Sequence, residues 1–145
     1  MADIPASDFR KILRHFEREL GRQNQSGCCC GVTITQCHAL MELSAKDNIT
    51  MNELARKLHL DKSTVSRTIE NLVQAGLVVR EIPQANRRTT RVKLTPDGQA
   101  TCNTINKGNN EYFERALGAI PPSKLPGFLK AFEQLTSEMM KMNKQ

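Results

Sequence analysis

Residues 49–79 constrain the fold most, because this stretch holds two helix signals separated by only a few residues. Thr50 and Glu53 have the spacing of a helix N-cap, and Ile49 and Leu54 occupy the positions of a hydrophobic staple across it. A short helix is therefore predicted to begin at this cap, with a second one close behind it.

The second helix follows the expected end of the first near Leu58 and takes Asp61 as its N-cap. Its apolar residues follow the i, i+4, i+7, i+8 spacing of one buried face: Val65, Ile69, Leu72 and Val73. Gly76 is predicted to end it.

The opposite side of this second helix carries short hydroxyls, amides and a guanidinium, at 100° per residue. These residues are Ser63, Thr64, Arg67, Asn71 and Gln74. Such groups hydrogen-bond base edges and phosphates, and the first turns of a recognition helix reach the major groove. An ordinary solvated helix face would look similar, but two closely spaced helices in a basic chain favour DNA binding.

Composition agrees with a nucleic-acid partner. The 145 residues suit one domain, with a formal net charge of +6 and a pI near 9.3. We expect a cytoplasmic protein and no membrane partner, because no apolar run approaches a membrane span and the N-terminus lacks an apolar signal region. In a reducing compartment the five cysteines are expected to be thiols or ligands rather than disulfides.

Two helices are predicted before the central stretch. The first runs from Ile4 to Leu20, with an apolar face of Phe9, Ile12, Leu13, Phe16 and Leu20. The segment Gly21 to Gly31 is predicted to be a loop or a loosely wound entry to the next helix. A helix then resumes from Thr33 and ends before Lys46, and its inward residues are predicted to be Ile34, Cys37, Leu40, Met41 and Leu43.

After the central stretch, Leu77–Ile82 and Thr89–Thr95 have the pattern of two strands in a hairpin with a basic tip. Thr95-Pro96 is a strong helix start, and Pro121-Pro122 ends that helix. Its apolar residues are Cys102, Ile105, Tyr112, Phe113, Ala116 and Leu117.

The last helix, from about Ser123, has a long apolar seam: Leu125, Phe128, Phe132, Leu135, Met139 and Met142. This seam either covers the core of its own chain or meets a second copy. Because so short a chain buries a limited share of its surface, we favour a two-fold homodimer in which the first and last helices of two copies bury these faces together.

Four strings together resemble the MarR family of bacterial transcription regulators. They are L-D-K-S-T-V-S-R at 60–67, G-L-V at 76–78, N-R-R at 86–88 and L-T-P-D-G at 94–98. The resemblance implies a mainly α fold with a small β-hairpin wing, a winged helix-turn-helix that dimerises through its N- and C-terminal helices. It covers a single domain, 1–145, with the DNA-binding core at about 33–95 and dimerisation helices at about 4–20 and 96–143. It also implies a protein that binds a pseudo-palindromic operator in double-stranded DNA and usually represses transcription until an effector changes the spacing of its two DNA-binding heads.

Carried over by position, Ser63, Thr64, Ser66 and Arg67 face the major groove and its phosphates, and Arg87 or Arg88 at the wing tip enters the minor groove. A narrow minor groove attracts Arg through its enhanced negative potential, which agrees with this transfer. Wings of the family commonly read D-R-R, whereas this chain has Asn86 in place of the Asp. The ion pair that an Asp would give is therefore absent, and which Arg inserts stays open.

Cysteines are the candidates for the sensor. Cys28, Cys29 and Cys30 are consecutive between two glycines, whereas Cys37 and Cys102 lie on apolar faces, where cysteine usually serves as a small core residue. Packing does not demand three sulfurs in a glycine-flanked segment. The triplet is therefore predicted to have a function.

Two thiol chemistries compete. Thiolates bind soft or borderline ions such as arsenite, zinc, cadmium or copper(I), with Cys37, Cys102 or a residue of the other subunit joining two of the triplet, and with His15 or His38 available for zinc. Alternatively, an oxidant forms a sulfenic acid that a neighbour resolves to a disulfide, to Cys102 or across the dimer. A third hypothesis is a small organic effector, with incidental cysteines.

A different class of function is a winged helix that binds proteins, or a thiol carrier of metal or redox equivalents that never meets DNA. The hydroxyl-rich face from Ser63 to Arg67 and the Arg pair of the hairpin tip argue for DNA, since a carrier needs neither. An enzyme is not predicted, because no nucleophile stands with a His and a carboxylate at telling positions. No obligatory cofactor is predicted.

Overall fold

The computed structural model describes Asp3 and residues 5–27, 31–82 and 89–144. The elements in chain order are α1 Ala6–Gly27, α2 Ile34–Ala45, β1 Ile49–Thr50, α3 Met51–Leu58, α4 Lys62–Gln74, β2 Val78–Glu81, β3 Arg91–Leu94, α5 Pro96–Leu117 and α6 Leu125–Met142. The chain divides into two compact units, Met1–Lys107 and Gly108–Gln145. The mainly helical fold with a small antiparallel sheet agrees with the predicted class.

Four helices begin at residues whose side chains satisfy an otherwise unpaired backbone N–H. In each case a side-chain oxygen accepts the N–H three residues on: Thr33 from Gln36, Thr50 from Glu53, Asp61 from Thr64, and Thr95 from Gly98. Thr33 and Gln36 also complete a capping box, since the Gln36 side chain accepts the Thr33 N–H. The starts predicted for α2 to α5 are therefore confirmed.

The hydrophobic core of the first unit is built by α2, α3, α4, the sheet and the start of α5. Its largest fully buried side chains are Leu40, Leu43, Ile49, Leu54, Val65, Ile69, Leu72, Val78, Val92 and Cys102. The predicted inner face of α4 is thus confirmed, with Val73 packed at its edge.

The sheet has three antiparallel strands in the order β1-β3-β2. The predicted hairpin is confirmed, since Val78 of β2 pairs with Leu94 of β3. The strand β1 has no signal in the sequence, because two residues are too short to show an alternating pattern. Its Ile49 pairs with Val92 and is fully buried, so it serves as both strand residue and helix staple.

Two expectations about the first helices are wrong. Gly21 does not end α1, which continues to Gly27, because a single glycine costs a helix only about 1 kcal/mol relative to Ala. Ile34 does not face the core and is 40% exposed. The buried face of α2 includes Ala39 together with Leu40 and Leu43, which turns it away from Ile34.

Apolar side chains lie exposed on both terminal helices. On α1 these are Phe9, Ile12 and Phe16; on α6 they include Phe128, Leu135, Met139 and Met142. The rings of Phe128 and Phe132 stack on α6 with centroids 5.8 Å apart. Within the described part of the chain, no helix has the length and apolar character needed to cross a membrane.

Candidate nucleic-acid interface

A three-residue turn joins α3 to α4 and fixes their relative direction. His59 ends α3 in the left-handed conformation, with φ of 54°, which turns the chain sharply. The N–H of the next residue, Leu60, donates to the Ala55 carbonyl at 3.1 Å and so closes the helix end. Asp61 then caps α4. These contacts form a helix-turn-helix, as predicted from the spacing.

The outer face of α4 carries the residues that the sequence assigned to DNA. Ser63, Ser66, Arg67 and Asn71 are exposed, as is Gln74, whereas Thr64 is half-buried. All of them lie on the one helix whose opposite face is locked into the core by Val65, Ile69 and Leu72. The structure therefore places the predicted contact residues of α4 together on a helix that is packed into the core.

Asp61 does more than cap the helix. Its carboxylate accepts hydrogen bonds from the Ser63 hydroxyl and the Thr64 hydroxyl, in addition to the Thr64 N–H at 3.3 Å. These bonds, that of Ser63 foremost, lower the pKa of Asp61 to about 2 from an ordinary 3.8. The carboxylate is therefore ionised throughout the neutral range.

Ion pairs tie the wing to α4. Arg80 of β2 lies 2.8 Å from the Glu70 carboxylate of α4, and its second guanidinium nitrogen donates to the Ser66 carbonyl at 3.4 Å. Within the wing, Lys93 of β3 lies 2.7 Å from the Glu81 carboxylate of β2. The first ion pair thus links β2 to α4, and the second links the two strands of the wing to each other.

The wing tip at 83–88 lies outside the described residues, and Arg87 and Arg88 are part of it. Their predicted entry into the minor groove therefore stays a prediction.

A tight joint connects the end of α4 with the start of α5. The Thr95 hydroxyl donates to the Gly76 carbonyl at 2.7 Å, and the Thr95 N–H donates to the Leu77 carbonyl at 3.0 Å. Gly98 packs so closely here that a Cβ would lie 1.9 Å from the Leu77 carbonyl oxygen. The segment L-T-P-D-G thus holds the start of α5 against the residues that follow the C-terminal end of α4.

The five cysteines fall into two groups. Cys28, Cys29 and Cys30 lie outside the described residues. Cys37 and Cys102 are buried in the core, at 4% and 0% exposure. The Cys102 thiol donates to the Leu40 carbonyl at 3.5 Å, and its burial raises its pKa.

The surroundings of Cys102 are those of a core cysteine. A thiol with a raised pKa is less readily deprotonated, and the thiolate is the form that binds metals and attacks oxidants. His15 and His38 are exposed. Among residues 5–27, 31–82 and 89–144, no group of three or more His, Cys, Asp or Glu side chains is placed to hold a metal ion.

Some residues of the site are not evident from the sequence. Arg80 and Glu70 are ten residues apart, and their pairing depends on how β2 packs beside α4. The bonds from Ser63 and Thr64 to Asp61 had a usable local signal, since hydroxyls two and three residues after an Asp form such turns. The close approach of Gly98 to the Leu77 carbonyl, by contrast, has no signal in a single sequence.

Known proteins resemble this chain over the described elements. A sequence profile of the MarR family matches residues 31–89. YsmB of Bacillus subtilis, an uncharacterised helix-turn-helix transcriptional regulator, is 28% identical over 138 residues, 92% of each chain. The organic hydroperoxide resistance transcriptional regulator of the same species is 28% identical over 89 residues, which are 61% of this chain and 56% of that relative.

A solved structure agrees over almost the whole length. The crystal structure of a MarR-family transcriptional regulator from Silicibacter pomeroyi matches with a TM-score of 0.72 and 27% identity, over 95% of this chain and 94% of that one.

Proposed function

This chain belongs to the MarR family of winged-helix transcription regulators, and on that premise we propose that it binds double-stranded operator DNA as a homodimer. The exposed face of α4 is the observation that supports this most directly. It presents hydroxyls, two amides and the Arg67 guanidinium from a helix anchored by three buried apolar residues. These are the groups that read base edges and bind phosphates.

In this proposal α4 enters the major groove and the wing follows the adjacent backbone. Arg67 binds phosphate or a guanine edge, while Arg87 or Arg88 at the wing tip inserts into the minor groove. The pair of Arg80 and Glu70 links β2, which leads into the wing, to α4. Bound over a promoter, the protein would act as a repressor.

The homodimer rests on the exposed apolar faces of α1 and α6. Phe9, Ile12 and Phe16 on α1, and Phe128, Leu135, Met139 and Met142 on α6, are between 37% and 66% exposed in the single chain. Burying these faces between two copies removes apolar surface from water and pairs two α4 helices. Two such helices about 34 Å apart match successive major grooves of a pseudo-palindromic operator.

Salt dependence tests the DNA contact of α4. Replacing Arg67 with Ala is expected to weaken operator binding and to reduce the slope of log K against log salt by about one unit for each phosphate that Arg67 neutralises. Arg115→Ala removes the same charge from an exposed position on α5 and serves as the matched control. Equal slopes for the wild type and the Arg67 variant would remove Arg67 from the phosphate contacts.

Control of binding is proposed to act through the thiols of Cys28, Cys29 and Cys30. Cys102 is a weaker candidate partner for them, because it is buried and its pKa is raised. One candidate chemistry is oxidation, which the similarity to a regulator of organic hydroperoxide resistance supports. In that case a thiolate attacks the peroxide oxygen to give a sulfenic acid and an alcohol, and a second thiol displaces water to form a disulfide.

Two other effectors stay open. A soft ion, namely arsenite, zinc, cadmium or copper(I), would bind the triplet as thiolates together with a donor of the other subunit. A small organic effector would leave the cysteines incidental. Each effector is proposed to act by changing the distance between the two α4 helices, so all of them would have the same effect on DNA binding. The effectors are therefore distinguished by treating the protein with each one separately.

One experiment separates these effectors. Binding to the DNA upstream of the protein's own gene is measured under reduction, then with an organic hydroperoxide, arsenite, zinc, cadmium or copper(I), for the wild type and a Cys28/Cys29/Cys30→Ser variant. The wild type is expected to release DNA in one treatment that leaves the variant bound, and Cys102→Ala serves as a control cysteine change. An equal response of the variant would remove the triplet as sensor, and no binding under reduction would support the carrier hypothesis.

A further inference from the structure

The N-cap residue and the first turn of α4 contribute three polar side chains that are joined in one network. One carboxylate oxygen of Asp61 accepts the Thr64 hydroxyl, and the other accepts both the Ser63 hydroxyl and the Thr64 N–H. Ser63 and Asp61 are exposed and Thr64 is half-buried, so the network lies at the surface of the helix end that leads into the groove.

The direction of these hydrogen bonds follows from the chemistry of the groups. An ionised carboxylate has no proton and only accepts, and the low pKa of Asp61 keeps it ionised. A hydroxyl has a single proton, which Ser63 and Thr64 both direct at Asp61. Each hydroxyl therefore keeps only lone pairs for an outside partner.

We propose that Asp61 is a specificity-determining residue, which fixes Ser63 and Thr64 as hydrogen-bond acceptors toward the major groove. This inference rests on the proposed DNA binding. The expected partners are the exocyclic amino groups of adenine and cytosine, which are the donors of the major groove. The same hydroxyls would meet an acceptor at guanine O6 or thymine O4, so adenine is preferred over guanine, and cytosine over thymine, at the contacted positions.

The carboxylate also argues against phosphate as the partner of these hydroxyls. A phosphate oxygen needs a donor, and the two hydroxyl protons are already engaged. The negative charge of Asp61 lies beside them and repels a phosphate at the short distances where salt screens little. Ser63 and Thr64 are therefore assigned to bases, whereas Arg67, one turn further along, remains the phosphate or guanine contact.

The first test uses the free protein and does not depend on DNA. The pKa of the Asp61 carboxyl is measured by carbon NMR during an acid titration, in the wild type and in Ser63→Ala and Thr64→Val. Each variant is expected to raise this pKa from about 2 toward 3.8, with Ser66→Ala as an unchanged control. A pKa of Asp61 that is unaffected by both changes would overturn the network, whatever DNA the protein binds.

The second test measures base preference by selection from a randomised duplex library. Loss of a preference in Ser63→Ala or in Thr64→Val identifies the base position that each hydroxyl contacts. In the wild type, adenine or cytosine is expected there by about tenfold over guanine or thymine respectively. Guanine or thymine at these positions would overturn the inference while leaving the proposed function intact.

Asp61→Asn provides the sharpest variant, because Asn is as good an N-cap as Asp. Its amide oxygen must stay on the Thr64 N–H and the Ser63 hydroxyl, which places the amide NH₂ against the Thr64 hydroxyl. That hydroxyl then accepts from the amide and turns its own proton outward.

The preference at the Thr64 position is thus expected to change to guanine or thymine, while that of Ser63 stays the same. Unchanged preferences at both positions would overturn the role of Asp61. A wild type that enriches no sequence at all would refute the proposed function, and this inference with it.

Discussion

Gly98 is the residue whose lack of a side chain has the clearest structural reason. Helix α5 approaches the chain at Leu77 so closely that a Cβ at Gly98 would lie 1.9 Å from a carbonyl oxygen and 3.2 Å from the Leu94 side chain. The carbonyl belongs to backbone and accepts the Thr95 N–H, so it has little freedom to move. The joint between α4 and α5 therefore requires glycine.

Replacing Gly98 with Ala is expected to lower the free energy of unfolding by about 1–3 kcal/mol, the usual range for overpacking. Gly108→Ala in the same helix meets open space and is expected to raise it by about 1 kcal/mol. Urea unfolding of both variants measures the difference. Equal effects at the two positions would contradict the close approach at Gly98.

His59 adopts the left-handed conformation that β-branched residues avoid, with φ of 54°. His59→Val is expected to lower the free energy of unfolding by roughly 1–2 kcal/mol, whereas His59→Asn is expected to leave it nearly unchanged. The same two changes at His38, which is exposed within α2, should differ in the free energy of unfolding by only a few tenths of a kcal/mol. Thermal unfolding of the four variants checks this, and a tolerated Val at 59 would count against the turn geometry.

At the scale of elements, helix boundaries followed local rules closely. The four starts with a side-chain cap lie where Thr or Asp precedes a helix pattern, because the cap satisfies an N–H within three residues. The ends of α3 and α4 are equally local, at a left-handed His59 and at Gly76, with φ of 76°. The start and the end of α4 are therefore determined by residues within and next to the helix.

The cap of α4 makes stability depend on acid. The pKa of Asp61 is about 2 in the folded protein and 3.8 without its partners, so its contribution is complete above the higher value. That contribution falls as the pH drops from about 5 through the folded pKa. Asp61→Asn does not titrate, so the free energy of unfolding of the wild type minus that of the variant is expected to fall as the pH drops through this window.

Urea unfolding of both proteins at neutral pH and near pH 2 measures that difference. All other carboxyl groups are common to the two proteins and cancel in the comparison. A difference in unfolding free energy that stays constant between neutral pH and pH 2 would show that Ser63 and Thr64 do not stabilise the ionised Asp61 carboxylate in the folded state.

For the whole molecule, the decisive feature is the apolar surface left on the terminal helices. Met139→Glu, at a position that is 45% exposed in the single chain, is expected to raise the dimer dissociation constant at least tenfold, since it buries a charge in the proposed interface. Gln134→Glu adds the same charge to the polar side of α6.

Sedimentation equilibrium measures the association of both variants. Because each position is exposed in one chain, both variants are expected to fold. A wild type that sediments as a monomer, or a Met139 variant that associates as the Gln134 variant does, would refute a dimer through α6.

Local sequence was enough to predict most of the elements, though neither β1 nor the end of α1, and to assign the two faces of α4. Val65, Ile69 and Leu72 lie inside and Ser63, Arg67 and Asn71 outside, because helical periodicity alone assigns sides. The hairpin and the start of α5 were equally predictable. The failures at Gly21 and Ile34 have the same root, since one glycine does not stop a helix and the core, not the helix, decides which side of α2 is buried.

The neighbours of the site residues, by contrast, depend on packing between distant parts of the chain. Arg80 meets Glu70 because β2 packs beside α4, and Cys102 reaches the Leu40 carbonyl across 62 positions of sequence. The same holds for β1, whose two residues become a strand only because β3 lies next to them. A periodic pattern predicts which side of a helix or strand a residue lies on. It does not predict which residue that side chain will contact, because the contact depends on how the elements pack.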